Sequence, residues 1–205
     1  MTANVSAVLR WLGEARDLGF LGPGPVEDHL LHSEGFVRAL ADLEVATLID
    51  LGSGGGVPGL LLAARRSAAT VVLIDSHQRR TAFLERCAGE MSPPPQVVTG
   101  RAEQLAHDPT WRHSADVVVA RSFGPPAATA ECATGFLRRG GFLLVSEPPD
   151  APDFRWPVDG LERLGLRRHD VVTMGAAHIR RLEQVRTCDP TVPRRVGRPK
   201  TAPMW

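Results

Sequence analysis

The sequence predicts a doubly wound α/β fold, in which a mostly parallel, seven-stranded sheet carries helices on both faces. Short apolar runs rich in Val, Ile and Leu alternate along the chain with segments of helical periodicity. The first apolar run, at 46–51, leads directly into a glycine-rich turn that a helix follows. The second, at 70–75, ends in an acid, so the turn and the acid should share one edge of the sheet. These three observations carry the prediction.

Two helices are expected to precede the sheet. Apolar residues recur at helical spacing over 3–18, a Gly-Pro-Gly-Pro break follows, and a second helix is predicted from about residue 26 to residue 43. We therefore interpret residues 1–44 as a helical N-terminal appendage and residues 45–188 as the main domain. Residues 189–205 are rich in Pro and Arg, and we expect a basic, extended tail.

The remaining elements follow in alternation. Strands are predicted at 46–51, 70–75, 96–99, 115–120, 142–146, 166–173 and 177–186. Helices are predicted at 58–66, 78–90 and 126–137, each bounded by glycine or proline at one end or both.

Composition excludes several classes of protein. The 24 basic and 23 acidic residues give a net charge of +1, so no bulk field marks a nucleic-acid or membrane binder. The three cysteines form no CxxC pair, which argues against a disulfide framework or a cysteine zinc site and favours a reducing compartment. Histidines and acids show no metal-ligand spacing, so no metal is expected. With no apolar run of about 18 residues and no signal-peptide pattern, we expect no membrane association and a cytoplasmic location.

The glycine turn indicates a ligand. Residues 50–59 read DLGSGGGVPG, and so many glycines weaken a fold unless a ligand or close packing needs them. The turn formally matches the dinucleotide pattern GxGxxG, with Asp75 about 20 residues on. Asp50, two residues before the first glycine, instead favours S-adenosylmethionine, since an acid there can face the ammonium of a methionine moiety and would repel a pyrophosphate. Asp75 can accept hydrogen bonds from the ribose hydroxyls of either ligand. Glu103 can bind an adenine edge.

Several segments together resemble the RsmG (GidB) family: LIDLGSGGGVPG, LIDSHQRRTAFL, TGRAEQL, ADVVVARSF and the ending VPRRVGRPKTAPM. The resemblance covers roughly residues 29–204. It implies a class I, Rossmann-like methyltransferase that modifies N7 of a guanine in 16S ribosomal RNA, with the RNA or the small ribosomal subunit as partner. Together with the glycine turn, it gives these candidate contacts to S-adenosylmethionine: Asp50, Gly52, Ser53, Gly54, Gly56, Val57, Asp75, Ser76, Ala102, Glu103 and Arg121.

The chain also departs from that family. It has no Asn-Leu-Thr motif before the glycine turn. In the segment 28–33 His32 stands where the family has an acid, and Glu147-Pro148 stands where the family has Lys-Gly. Two alternatives therefore stay open. One is a methyltransferase of the same lineage acting on another RNA, a protein or a small molecule, and the other is a non-catalytic protein that binds cofactor and RNA.

Methylation at guanine N7 needs positioning rather than a base, because N7 carries a lone pair and no proton. No catalytic base is therefore assigned. The Asn/Asp-Pro-Pro-aromatic element of amine methylation is absent from 120–126, and the cysteines are interpreted as structural. Candidate contacts to the acceptor are a histidine and an arginine implied by resemblance, an aromatic residue able to stack on a base, and a basic cluster able to neutralise phosphates: His29, Arg121, Phe123, Arg194, Arg195, Arg198 and Lys200.

Overall fold

The computed structural model describes residues 5–66 and 68–205 and contains one seven-stranded sheet. The strands are β1 Thr47–Leu51, β2 Thr70–Asp75, β3 Gln96–Thr99, β4 Ala115–Ala120, β5 Leu137–Glu147, β6 Leu166–Met174 and β7 Ala177–Gln184. Their order is β3-β2-β1-β4-β5-β7-β6. Strands β1 to β5 pair in parallel, and β7 runs antiparallel to both β5 and β6. The predicted fold class is confirmed.

Helices flank the sheet. They are α1 Val5–Asp17, α2 Val26–Ala39, α3 Gly59–Arg65, α4 Gln78–Ala88, α5 Ala102–Leu105, α6 Pro126–Thr134, α7 Val158–Leu164 and α8 Arg198–Thr201, with a 3-10 turn at Asp153–Arg155. Positions 3 and 4 of the first predicted helix lie outside the described residues. Within 5–66 and 68–205, no helix is long and apolar enough to span a membrane.

The structure corrects the prediction around α6 and β5. The helix predicted to residue 137 ends at Thr134, and β5 begins at Leu137, which pairs with Ala115. The glycines at 140 and 141, which were expected to precede the strand, lie inside it. Gly141 is packed so closely that a Cβ there would lie 2.8 Å from the Asp116 carbonyl oxygen, and the register shifts beside it. A bulge in the strand therefore explains the glycines.

Two hydrophobic clusters cover the two faces of the sheet. Alternate residues of each inner strand belong to different clusters, as the two-residue period of a strand requires. Trp11 and Phe36 of the N-terminal helices belong to one cluster, and Phe136 and Trp156 belong to the other. The N-terminal helices thus share the main core. The boundary predicted at 44/45 stays a prediction.

An ion-pair cluster ties the N-terminal helices to the edge of the sheet. The buried Arg181 on β7 donates from Nε and Nη2 to the two carboxylate oxygens of Asp170, at 2.6 and 2.7 Å. Its Nη1 donates to Asp42, just beyond α2, at 2.6 Å. These partners raise the pKa of Arg181 above its ordinary value, and the hydrogen bond to Asp170 is the largest cause. This arginine therefore stays charged and joins three segments.

The segment 189–205 packs against the domain instead of extending from it. Arg112 donates to the carbonyl oxygens of Val192 at 3.0 Å and Asp189 at 3.2 Å. The ring of His107 bonds to the Pro193 carbonyl oxygen at 2.7 Å. The backbone of this segment is therefore fixed at several points.

Arg194, predicted as a phosphate contact, is paired with a carboxylate inside the fold. Its Nε and Nη2 donate to the two carboxylate oxygens of Glu131 on α6, at 2.8 and 2.6 Å, and its own N–H donates to the first of these oxygens at 2.9 Å. The Glu131 side chain is 0% exposed. A buried carboxylate needs such a partner, so we interpret Arg194 as a residue that stabilises the fold.

We expect Arg194→Ala to lower the free energy of unfolding by about 3 kcal/mol, because the change leaves a buried carboxylate without its guanidinium. The neighbouring Arg195 is exposed, and Arg195→Ala should change stability by no more than about 0.5 kcal/mol. Urea denaturation of both variants and the wild type measures the difference. Equal stability of the two variants would contradict the structural role of Arg194.

Candidate functional site

A cavity of about 200 Å³ opens at the edge of the sheet where β1, β2, β3 and β4 end. Residues from the ends of four strands and the segments after them form its walls, together with two residues of the chain's last segment. The lining is Leu51, Gly52, Ile74, Asp75, Ser76, His77, Arg80, Gly100, Arg101, Ala102, Glu103, Ser122, Phe123, Gly124, Pro125, Ala128, Cys132, Pro199 and Lys200. The structure thus brings together five of the predicted cofactor contacts: Gly52, Asp75, Ser76, Ala102 and Glu103.

The glycine turn explains part of this shape. Gly52 has φ of +74°, which favours glycine, and a Cβ there would lie 2.7 Å from the ring of Phe123. Gly54 also has a positive φ, and its N–H donates to Asp75 Oδ2 at 2.9 Å. The missing side chains let the turn lie close to the sheet edge and keep the cavity open.

Asp75 organises the middle of the cavity. Its Oδ2 accepts the Gly54 N–H, and its Oδ1 accepts the N–H of His77 at 2.9 Å, just before α4 begins. Arg80 Nη1, on α4, lies 3.6 Å from Asp75 Oδ2. The carboxylate therefore fixes the glycine turn to the start of the next helix while it lines the cavity.

Asp50 does not line the cavity, so the structure does not support the direct cofactor contact predicted for it. Its side chain is buried beneath the turn, and its Oδ2 accepts the N–H of Gly59 at 3.1 Å. Burial raises the pKa of Asp50 to about 7, against the opposing effect of hydrogen bonds from Ser53 and Gly59. A Cβ at Gly59 would collide with this carboxylate, so the glycine is required there. Asp50 holds the turn and the start of α3 together.

The other turn residues also do not line the cavity. Ser53 is buried, and its hydroxyl donates to the Asp50 carbonyl oxygen at 3.0 Å. Gly56 packs against Leu60 so closely that a side chain would collide. Gly54, Gly56, Val57 and Ser53 are absent from the lining, so they shape the turn rather than the described cavity wall.

Glu103 lines the cavity and accepts hydrogen bonds from two other residues. Its Oε1 accepts the N–H of Gly197 at 2.9 Å and an Arg101 N–H at 3.1 Å. Burial alone would raise the pKa of Glu103, but these hydrogen bonds outweigh it and lower the pKa below its ordinary value. The carboxylate is therefore ionised at neutral pH and is held by a residue 94 positions away in the chain.

A second cavity, of about 380 Å³, lies beside the first and shares Ser122, Phe123 and Gly124 with it. Its other walls come from α2, β4, β5, α6 and the segment around Arg155: His32, Ala120, Arg121, Pro126, Thr129, Val145, Ser146, Glu147, Pro148, Arg155 and Trp156. Sequence reasoning did not select Ser122, Gly124 or Trp156 as site residues. The position of Ser122 and Gly124 directly after a parallel strand was the available signal.

Arg121 lines the second cavity and not the first, so the structure does not support its role as a direct cofactor contact. Its Nη2 donates to His29 Nδ1 at 2.8 Å, and His29 Nε2 lies 3.3 Å from the Gly22 carbonyl oxygen. Among the partners that the described residues provide, none accepts from the buried Arg121 Nη1. Burial lowers the pKa of Arg121. The predicted pair His29 and Arg121 is therefore together, with one donor left over.

Glu147 brings a negative charge to the second cavity, and two arginines lie close enough to offset it. Its Oε1 accepts the Arg155 Nε–H at 2.9 Å, and Arg180 Nε lies 3.6 Å from its Oε2. His32 is also at this cavity, where its Nε2 lies 2.8 Å from the Ser146 hydroxyl. Burial, followed by the charge of Arg121, lowers the pKa of His32 to about 4, so this ring is neutral at physiological pH.

Nucleophiles and metal ligands are not evident at the site. All three cysteines are buried, and burial raises the pKa of Cys87 to about 12. Cys132 lines the first cavity, and burial raises the pKa of its thiol as well. Such cysteines are thiols that pack, not thiolates. Over residues 5–66 and 68–205, no three His, Cys, Asp or Glu side chains are grouped to hold a metal ion.

The sheet order, the glycine turn and an acid at the end of β2 define a class I methyltransferase that uses S-adenosylmethionine. Residues 25–147 match the GidB family model, described as rRNA small subunit methyltransferase G. The chain belongs to this family. The cradle at Gly52 and the carboxylates of Asp75 and Glu103 fit the adenosine part of that cofactor.

Similar proteins agree with this assignment. The ribosomal RNA small subunit methyltransferase G of Roseiflexus sp. is 34% identical over 188 residues, which are 88% of this chain and 80% of the relative. That of Moorella thermoacetica is 28% identical over 184 residues, or 86% and 77% of the two chains. A SAM-dependent methyltransferase from Aquifex aeolicus has the same fold, with a TM-score of 0.58 and 14% identity over 84% of this chain and 97% of the other.

The protonation of Asp50 gives a prediction with a definite sign. Because burial raises its folded pKa to about 7, the folded chain keeps a proton that the unfolded chain loses near pH 4. The stability from this group is present at low pH and is lost as the pH rises from about 4 through about 7. Asp50→Asn cannot ionise, so its free energy of unfolding should fall less than that of the wild type between about pH 5 and about pH 8. Parallel denaturation curves at both pH values measure this, and an identical fall in the two proteins would refute it.

Asp75→Ala should weaken the binding of S-adenosylmethionine about 10- to 100-fold, because the charge-assisted hydrogen bonds predicted between Asp75 and the ribose are lost. It should also lower stability by about 1–3 kcal/mol, since two backbone N–H groups lose their acceptor. Calorimetric titration and denaturation give the two numbers. The exposed Asp159 provides the control variant, Asp159→Ala, which should retain wild-type affinity. Unchanged affinity in a folded Asp75→Ala protein would mean that Asp75 only ends its strand.

Proposed function

We propose that this chain methylates N7 of a guanine in 16S ribosomal RNA, with the RNA or the small ribosomal subunit as its substrate. The observation that carries the proposal is the contact between the two cavities at Ser122, Phe123 and Gly124. A cofactor in the first cavity and a base in the second would meet there. The family and the relatives named above support ribosomal RNA as the acceptor.

The second cavity suits an acceptor that needs no base. When bound, S-adenosylmethionine supplies a sulfonium methyl group that a lone pair can attack. Guanine N7 has such a lone pair and no proton to lose, so alignment is the main requirement. His32 is neutral there, but its ring is half-buried and is engaged with the Ser146 hydroxyl. The absence of an assigned base is therefore consistent with N7 as the target.

Two residues are proposed to orient the guanine. Phe123 lines both cavities and provides an aromatic face on which a base can stack. Arg121 has a buried donor, Nη1, without a partner in the described chain. Arginine donates readily to guanine O6, and a single donor on O6 leaves the neighbouring N7 free to attack. Its bond to His29 would hold the guanidinium in that orientation.

Contacts to RNA phosphates are proposed for the two exposed arginines of the last segment. Arg195 and Arg198 are exposed, while Arg194 is committed to Glu131. Each phosphate neutralised on single-stranded RNA contributes about 0.7 to the slope of log affinity against log salt. Replacing both arginines by alanine should therefore flatten the slope by up to about 1.4, instead of the larger change that four contacts would give.

The decisive experiment is mass spectrometry of nucleosides from 16S RNA after small subunits are incubated with the protein and cofactor. We expect 7-methylguanosine with the wild type and at least about a tenfold lower rate with Arg121→Ala, because one oriented donor is lost. Arg139→Ala changes an exposed arginine at the opposite end of the sheet and should leave the rate unchanged. Thermal melting of both variants separates lost orientation from lost stability.

Three outcomes would contradict the proposal. Methylation of another nucleotide would move the acceptor to a different base. Methylation of a protein or small molecule, without RNA modification, would favour a diverged acceptor. Binding of cofactor and RNA without any turnover would favour a non-catalytic binding protein.

A further inference from the structure

One wall of the first cavity comes from the last segment of the chain. Pro199 and Lys200, on the short helix α8, line this cavity together with residues at the ends of β1 and β2 and in the segments after β3 and β4. The sequence predicted that Lys200 would contact phosphate as one of four equivalent basic residues. The structure separates them, because Arg194 is paired within the fold and Arg198 does not line the cavity.

The wall is held at the end of the cavity where Glu103 lies. The Gly197 N–H donates to Glu103 Oε1 at 2.9 Å, immediately before α8 begins. Gly197 has φ of +80°, a conformation that side chains other than glycine rarely adopt. Pro199 is buried. The segment thus reaches the cavity through one glycine and one backbone hydrogen bond to a residue of the proposed cofactor site.

Further contacts keep this wall in place. Arg194 Nη2 donates to the Ala202 carbonyl oxygen at 2.9 Å as well as to Glu131. Because Arg194 precedes α8 and Ala202 follows it, this arginine ties both ends of α8 to α6. The Trp205 indole N–H donates to the Arg155 carbonyl oxygen at 3.0 Å, and its ring packs on Gly160 in α7. The wall is therefore part of the folded structure and not a solvated end.

We propose that the segment Gly197–Lys200 is a constituent of the cofactor site and covers the adenine end of S-adenosylmethionine. This inference rests on the proposed assignment of the first cavity to that cofactor. Glu103 is the residue proposed to bind the adenine edge, and the segment lies directly against it. Pro199 and the alkyl stem of Lys200 provide apolar surface for the adenine face, while the exposed ammonium group stays in water.

The test compares calorimetric affinities for S-adenosylmethionine and S-adenosylhomocysteine in full-length variants without RNA. Lys200→Ala should lower the affinity for both ligands about 5-fold, which is the loss expected when roughly one methylene group of contact is removed. Lys200→Met keeps the stem and should retain wild-type affinity. Arg139→Ala removes an exposed positive charge at the opposite end of the sheet, outside the cavity lining, and should also retain it.

A second variant detaches the wall. Gly197→Pro lacks the N–H that Glu103 accepts and cannot adopt the positive φ of this residue, so both ligands should weaken at least about tenfold. Hydrogen exchange gives a readout that does not depend on activity. Amides of residues 197–201 should exchange more slowly in the wild type when either ligand is bound.

Each result supports or overturns the proposal that Gly197–Lys200 is part of the cofactor site. Wild-type affinity in Lys200→Ala and Gly197→Pro, with unchanged exchange over 197–201, overturns it while leaving the cofactor site intact. Equal losses in Lys200→Met and Lys200→Ala overturn packing by the stem. A wild-type chain that binds neither ligand would overturn the cofactor site itself, and the wall with it.

Discussion

The carboxylate of Asp75 is the interaction on which the site depends. It joins three segments: the end of β2, the glycine turn after β1, which backbone bonds to Ile74 also hold, and the start of α4. Parallel strands bring these segments to one edge, but their loops are free to diverge beyond it. One buried acid with two backbone N–H groups fixes their spacing, and the floor of the first cavity follows from that spacing.

Two further acids extend the same arrangement to either side. Asp50 holds the start of α3 beneath the turn, and Glu103 holds the last segment across the cavity. All three carboxylates accept backbone N–H groups, so each positions a chain segment. Arg121 and His29 act similarly beside the second cavity, where a bond between side chains joins α2 to the end of β4. The two cavities are thus shaped by polar contacts on an apolar sheet.

The sequence was sufficient for the sheet and for part of the site. Strand identity follows from apolar runs, and the ends of parallel strands must coincide, so Asp75 and Glu103 could be placed at the cavity in advance. Asp50 could not, because an acid before a glycine turn can point toward a ligand or beneath the turn with the same sequence pattern. Its direction depends on the close approach of Gly59, which only the folded backbone determines.

The last segment was the part least accessible to sequence reasoning. Four basic residues within seven positions predict a solvated, phosphate-binding cluster when only composition is considered. The partner of Arg194 is 63 residues away, and the partner of Gly197 is 94 residues away. Contacts over such separations leave no periodicity or motif, so neither the buried pair nor the role of Lys200 in the cavity could be inferred from spacing.

The position of Trp156 gives the protein a built-in optical reporter. The chain contains four tryptophans and no tyrosine, so its ultraviolet emission comes from indole rings alone. Trp156 is fully buried and lines the second cavity, whereas Trp11 is buried on the other face of the sheet. A chain that retains only Trp156 would therefore report the entry of an acceptor through changes in fluorescence, without any label.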